Sequence, residues 1–94
     1  MDIFDVNISK DAEKDLRRLP EHIVFKLGAW IDGVKAYGLR AIRIMPGFYD
    51  EPLKGSRKGQ RSIRLNKVYR AIYSVVDDKK PNFINILEVT KHEY

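Results

Sequence analysis

Pro20 and Gly38 bracket a stretch in which Ile23, Leu27, Trp30, Ile31 and Val34 recur at helical spacing. Five apolar side chains on one stripe need a surface to lie against, so much of the remaining chain must supply it. Proline suits the first helical position and glycine the residue past the end, so the spacing predicts a helix from Pro20 to about Tyr37. Just upstream, Ser9 reads as an N-cap, with Asp11 and Glu13 in the first turn where the helix dipole favours carboxylates. Ala12, Leu16 and Leu19 form a stripe behind it, which predicts a short helix from about Lys10 to Arg18. Almost nothing separates the two helices, so they should form an antiparallel hairpin.

The rest of the chain reads mainly as strand. Ile3 to Ile8 suits a short N-terminal strand. Leu39 to Ile44 fits either a further helical turn or an extended link. From Met45 to Gly59, three glycines and two prolines argue against regular structure. Arg61 to Leu65 alternates, with Ile63 and Leu65 on one face and Ser62 and Arg64 on the other. Asn66-Lys67 then reads as a two-residue hairpin turn. Tyr69 to Val76, rich in β-branched and aromatic residues, should be a central strand. Asp77 to Pro81 is a turn, and Asn82 to Val89, apolar on both faces, should be an internal last strand. The expected fold is α+β in the order β-α-α-β-β-β. An N-terminal strand and a helical hairpin precede a three-stranded antiparallel meander, with the helices packed on one face of the sheet. At 94 residues this is one domain, spanning 1–94.

Several classes are set aside on composition. With no cysteine there is no disulfide framework and no thiolate metal site. The N-terminus has no charged segment leading into an apolar run, and no run approaches the ~20 apolar residues of a membrane span. A cytoplasmic protein is therefore expected. Asp50-Glu51 and Asp77-Asp78 read as loop or turn carboxylates without the His or Asp partners of a metal site. His22 is expected to face solvent and Trp30 to be core. No nucleotide-binding loop or nucleophile elbow is present, so no cofactor is expected.

The charge is concentrated. The run KGSRKGQRSIRLNKVYR holds seven basic residues, Lys54, Arg57, Lys58, Arg61, Arg64, Lys67 and Arg70, and no acidic one. The chain's net charge is +5, so the remainder, 11 basic against 13 acidic residues, sums to −2. A patch of this density points to a polyanion, nucleic acid foremost. The hairpin would bring Arg64 and Arg70 near each other, with guanidinium forks suited to phosphate oxygens. The loop from Gly55 to Gly59, carrying Arg57 and Lys58, could wrap a nucleic-acid strand. The competing reading is a solvated face that keeps a small protein soluble. Past the last strand, Lys91, His92 and Tyr94 place an amine, an imidazole and a phenol near the patch. RNA cleavage needs a base for the 2′-hydroxyl, cations for the pentavalent phosphate and an acid for the departing 5′-oxygen. His92, the arginines, and Tyr94 or Lys54 would cover those roles without a metal. The competing reading is an ordinary frayed terminus.

The run from Pro52 to Tyr73, PLKGSRKGQRSIRLNKVYRAIY, together with the ending KHEY, resembles the toxins of type II toxin–antitoxin modules. The chain is similar over nearly its full length to the RelE/ParE superfamily, and most to its HigB-like branch. The resemblance implies a ribosome-dependent endoribonuclease that cuts mRNA, leaving a 2′,3′-cyclic phosphate and a 5′-hydroxyl. It implies as partners mRNA, the 70S ribosome and a cognate, DNA-binding antitoxin, with no membrane and no small-molecule cofactor. By position, Lys54, Arg64 and Arg70 match the family's basic residues, while His92 and Tyr94 occupy its variable end, where acid–base residues are found. The expected catalytic set is therefore Lys54, Arg64, Arg70, His92 and Tyr94, with Arg57, Lys58, Arg61, Lys67 and Lys91 on the RNA. Two other readings stand beside it: a ParE-like poison of DNA gyrase, and a basic RNA- or ribosome-binding module without chemistry.

Overall fold

The computed structural model describes residues 2–77 and 82–91. Strand β1 (Asp5–Ile8) leads into helices α1 (Lys10–Leu16), α2 (Glu21–Tyr37) and α3 (Leu39–Arg43). A two-residue strand β2 (Glu51–Pro52) and a 3-10 turn (Gly55–Arg57) follow, then β3 (Gln60–Arg64), β4 (Tyr69–Val76) and β5 (Phe83–Lys91). The five strands form one sheet in the order β1-β5-β4-β3-β2. The meander is antiparallel as expected, while β1 pairs in parallel with β5. That pairing joins opposite ends of the chain and makes β5 an internal strand.

Register assigns the faces. Val6, Ile8, Ile84, Ile86, Val89, Ala71, Tyr73 and Ile63 occupy one face through their pairings Val6↔Ile84, Ile8↔Ile86, Tyr73↔Ile86, Ala71↔Val89 and Ile63↔Ala71. Against this face pack Ala12, Ile23, Leu27, Trp30 and Val34 of the helices. Trp30 is fully buried, with its ring 5.1 Å from that of Tyr73 at an interplanar angle of 44°. Its truncation to alanine would cost about 3–5 kcal/mol. The opposite face carries Ser62, Arg64, Arg70, Ile72, Glu88 and Thr90; Ser62 and Ile72 are buried there, while Arg64 is exposed.

Local chemistry explains the helix ends. Ser9 Oγ accepts a hydrogen bond from Ala12 N (3.1 Å), the expected N-cap. Helix α1 stops at Leu16, and Arg17 and Arg18 bond back to Glu13 and Asp15 in a closing turn. Asp15 also accepts from Val89 N (3.0 Å), which ties α1 to β5. Pro20 is the cap residue of α2 and not its first helical residue, a difference of one position. Residues 39–43, open between two readings in sequence, form a helix because a remote carboxylate caps them. Asp2 accepts from Arg40 N (3.1 Å), and Leu39 N bonds to Ile3 O. Gly38 turns the chain there at φ +89°, and a Cβ on it would lie 2.2 Å from Asp2 Oδ2.

Two loop expectations need correcting. The segment 45–59 is not devoid of regular structure: Glu51 and Pro52 pair with Ser62 and Arg61. Proline is tolerated because β2 is an edge strand. The hairpin turn is also wider than Asn66-Lys67. Arg64 and Arg70 are the last paired residues, Leu65 N bonds to Tyr69 O (2.9 Å), and Asn66 Oδ1 accepts from Val68 N (2.8 Å) and Tyr69 N (2.7 Å). The asparagine side chain closes this turn where a glycine would otherwise be favoured. Among the described residues, no helix is long and apolar enough to cross a membrane.

Candidate functional site

The β3–β4 hairpin sets Arg64 directly opposite Arg70. Side chains facing each other across an antiparallel pair lie close, and like charges there destabilise the sheet. Such a pair persists where solvent or a bound anion screens it. Among the described residues neither arginine has a carboxylate partner; the two ion pairs lie elsewhere, at Arg57–Glu88 and Arg61–Asp50. Arg64 is exposed, and its guanidinium carbon stands 4.4 Å from the centroid of the Tyr49 ring. Arg70 is half-buried, and its Nε is enclosed without a hydrogen-bond partner.

Glu51, paired with Ser62, lies one step along the same face. Tyr49, Glu51, Ser62, Arg64, Asn66, Tyr69 and Arg70 line one pocket on this face. In sequence, Asp50-Glu51 reads as a pair of loop carboxylates. The structure gives the two opposite roles through strand alternation. Glu51 opens onto the pocket. The Asp50 side chain is fully buried on the helix side, where its carboxylate accepts from Arg61 Nε (2.6 Å) and the Tyr73 hydroxyl (2.5 Å). Burial and the Asp50 hydrogen bond together push the Tyr73 phenol well above the usual tyrosine range, with Arg43 opposing. Burial works against the Arg61 charge, yet the hydrogen bond and charge of Asp50 outweigh it and raise the guanidinium above its ordinary value. The sequence signal for this split was the alternation Tyr49-Asp50-Glu51 just ahead of an edge proline. Its partners, Ser62, Arg61 and Tyr73, are remote in the chain.

The other basic residues divide. Arg61 pairs with Tyr73 on the core-facing side, away from Arg64 and Arg70. Arg57 donates to Gln60 Oε1 (2.8 Å) and Glu88 Oε1 (2.6 Å), tying the glycine-flanked loop to β5 across the Ser62–Ile72 face. Lys54 and Lys58 are exposed at the ends of the 3-10 turn, and Lys67 is exposed at the hairpin tip. Lys91 pairs with Tyr69, and Thr90 with Arg70, so β5 ends beside the arginine pair. His92 and Tyr94 lie outside the described residues. The structure thus brings Arg64, Arg70 and Glu51 together and leaves Lys54 off the pocket wall.

A family model described as the ParE toxin of type II toxin–antitoxin systems, parDE, matches residues 6–93. Among solved structures, the fold is similar to that of a YoeB/ParE toxin from Agrobacterium tumefaciens, with TM-score 0.71 at 20% identity over 95% of this chain and 99% of that one. It is similar to a chain of the RelBE2 toxin–antitoxin complex from Mycobacterium tuberculosis, with TM-score 0.68 at 25% identity over 96% and 99%. YafQ from E. coli strain BL21(DE3) gives TM-score 0.71 at 21% identity over 94% and 92%. Comparison with curated proteins finds no match.

Proposed function

This chain belongs to the ParE toxin family of type II toxin–antitoxin systems, and we propose that it is an endoribonuclease that cuts mRNA on the ribosome. The observation that carries the reading is the Arg64–Arg70 pair, two cations without carboxylate partners among the described residues, sharing one pocket with Glu51. The Glu51 carboxylate takes the proton of an RNA 2′-hydroxyl as that oxygen attacks the adjacent phosphorus. Arg64 and Arg70 balance the charge that builds on the nonbridging oxygens; arginine, always protonated, serves as charge stabiliser and not as base. The bond to the 5′-oxygen breaks and that oxygen takes a proton from an acid, assigned to His92 or Tyr94. The products are a 2′,3′-cyclic phosphate and a 5′-hydroxyl, and no step calls for a metal.

Lys54, Lys58, Lys67 and Lys91 supply phosphate contacts along the approach. Arg57 shapes the loop through Glu88, and Arg61 belongs to the buried cluster with Asp50. Placement in the HigB-like branch rests on the run from Pro52 to Tyr73. RelBE2 and the Staphylococcus aureus YoeB–YefM structure are toxin–antitoxin complexes, which supports a cognate antitoxin for this chain. The matched model's ParE description favours a second reading, a gyrase poison. Primer extension on an mRNA, with and without programmed ribosomes, decides between them. New 5′ ends that need ribosomes establish the first reading. No cuts from folded, growth-arresting protein, with gyrase supercoiling blocked, would establish the second.

A further inference from the structure

We propose that Tyr49 and Arg64 form a stacking platform for one unstacked RNA base beside the cleavage centre, and that Asn66 reads its edge. The inference rests on RNA being the partner of this face. Tyr49 is a bulky residue held at φ +49°, a region such side chains avoid. Backbone of this kind persists only when its neighbours over-determine it. On one side Phe48 O accepts from Arg64 N (2.7 Å); on the other Asp50 is locked to Arg61 and Tyr73. Between these anchors Tyr49 is 60% exposed, so the strain presents the residue and does not bury it.

Arg64 over that ring extends the aromatic surface with a guanidinium plane. Bases of single-stranded RNA stack on both kinds of surface. The two residues line the same pocket as Glu51 and Arg70, so a base lying there belongs to a nucleotide next to the scissile phosphate. Asn66 lines it too, and its Oδ1 is occupied by the N–H groups of Val68 and Tyr69. Only the NH2 half of the amide remains for a ligand. Arg70 and the Asn66 NH2 group are donors lining the same pocket, and they suit an edge with two acceptors. Guanine, with O6 and N7, offers one; adenine places an amino donor there.

The test separates base recognition from cleavage by using short fluorescent RNA with 2′-O-methyl sugars, which lacks the attacking hydroxyl. Its affinity is read by anisotropy with guanine, adenine or an abasic sugar at a single position. The wild-type chain should prefer guanine to the abasic oligomer by about tenfold. Tyr49→Ala should erase that dependence while keeping salt-sensitive phosphate binding, and Tyr49→Phe should retain it. Asn66→Asp keeps the oxygen that closes the turn but loses the donor. It should abolish the preference for guanine over adenine while still favouring a base over none. Wild-type binding indifferent to the base, or base dependence surviving in Tyr49→Ala, overturns the platform. A protein that shows the base dependence yet cuts nothing keeps the platform and loses the nuclease reading; one that cuts but ignores the base does the reverse.

Discussion

Replacing Asp50 with alanine should be among the most damaging single changes in this chain. The Asp50 side chain is fully buried and accepts from two groups, Arg61 Nε and the Tyr73 hydroxyl. Its removal leaves the buried Tyr73 hydroxyl without its acceptor, which costs about 1–3 kcal/mol. It also strands Arg61. Breaking a fully buried ion pair costs about 3–5 kcal/mol, but the Arg61 side chain keeps 24% exposure and recovers part of that from solvent. The two effects together come to about 3 kcal/mol. For a chain of 94 residues that lowers the melting temperature by about 12–24 °C. Urea and thermal unfolding followed by circular dichroism would measure it. Tyr73→Phe, which keeps the ring against Trp30 and the Asp50–Arg61 pair, should cost only about 1 kcal/mol. Combining Asp50→Ala with Arg61→Met should recover part of the loss, because no charge is left unpaired. An Asp50→Ala protein within 1 kcal/mol of wild type would refute the view that this carboxylate holds the edge of the sheet together.

Arg70→Ala should leave the melting temperature nearly unchanged, since its enclosed Nε has no partner to lose, yet lower single-turnover cleavage by about 10²–10³. Glu51→Gln should likewise retain the fold and lose cleavage, and equal rates would remove it as the base. Gly38→Ala should destabilise by at least about 1 kcal/mol in urea titration, because φ is positive and the new methyl would strike the Asp2 carboxylate. The Arg40 N–H, with help from that of Ile3, holds Asp2 below its ordinary range despite partial desolvation. A depressed carboxylate stabilises the fold above its unfolded pKa of about 3.9 and loses that contribution as pH falls through the folded value. The stability gap between wild type and Asp2→Asn should therefore close below about pH 4.

Features governed by near neighbours in the chain were legible in the sequence. The stripe from Ile23 to Val34 specified α2 because helical spacing is local, and Ser9 specified the start of α1 because its cap bond spans three residues. The alternation around Ile63 and Arg64 specified β3 and its two faces. From these the helices, the meander and the adjacent pair Arg64 and Arg70 followed. Features closed by remote partners were not legible. Helix α3 depends on Asp2, 38 residues from Arg40. The parallel β1–β5 pairing joins residues 78 apart, such as Asp5 and Phe83. The run of seven basic residues looked uniform, yet the fold neutralises Arg61 with Asp50 and Arg57 with Glu88 and leaves Arg64 and Arg70 unpaired by carboxylates among the described residues. Glu51 was a loop carboxylate until pairing with Ser62 turned it toward those arginines. Charge can be counted along a chain, but which charges remain available to a partner depends on side chains that only tertiary packing brings within hydrogen-bond reach.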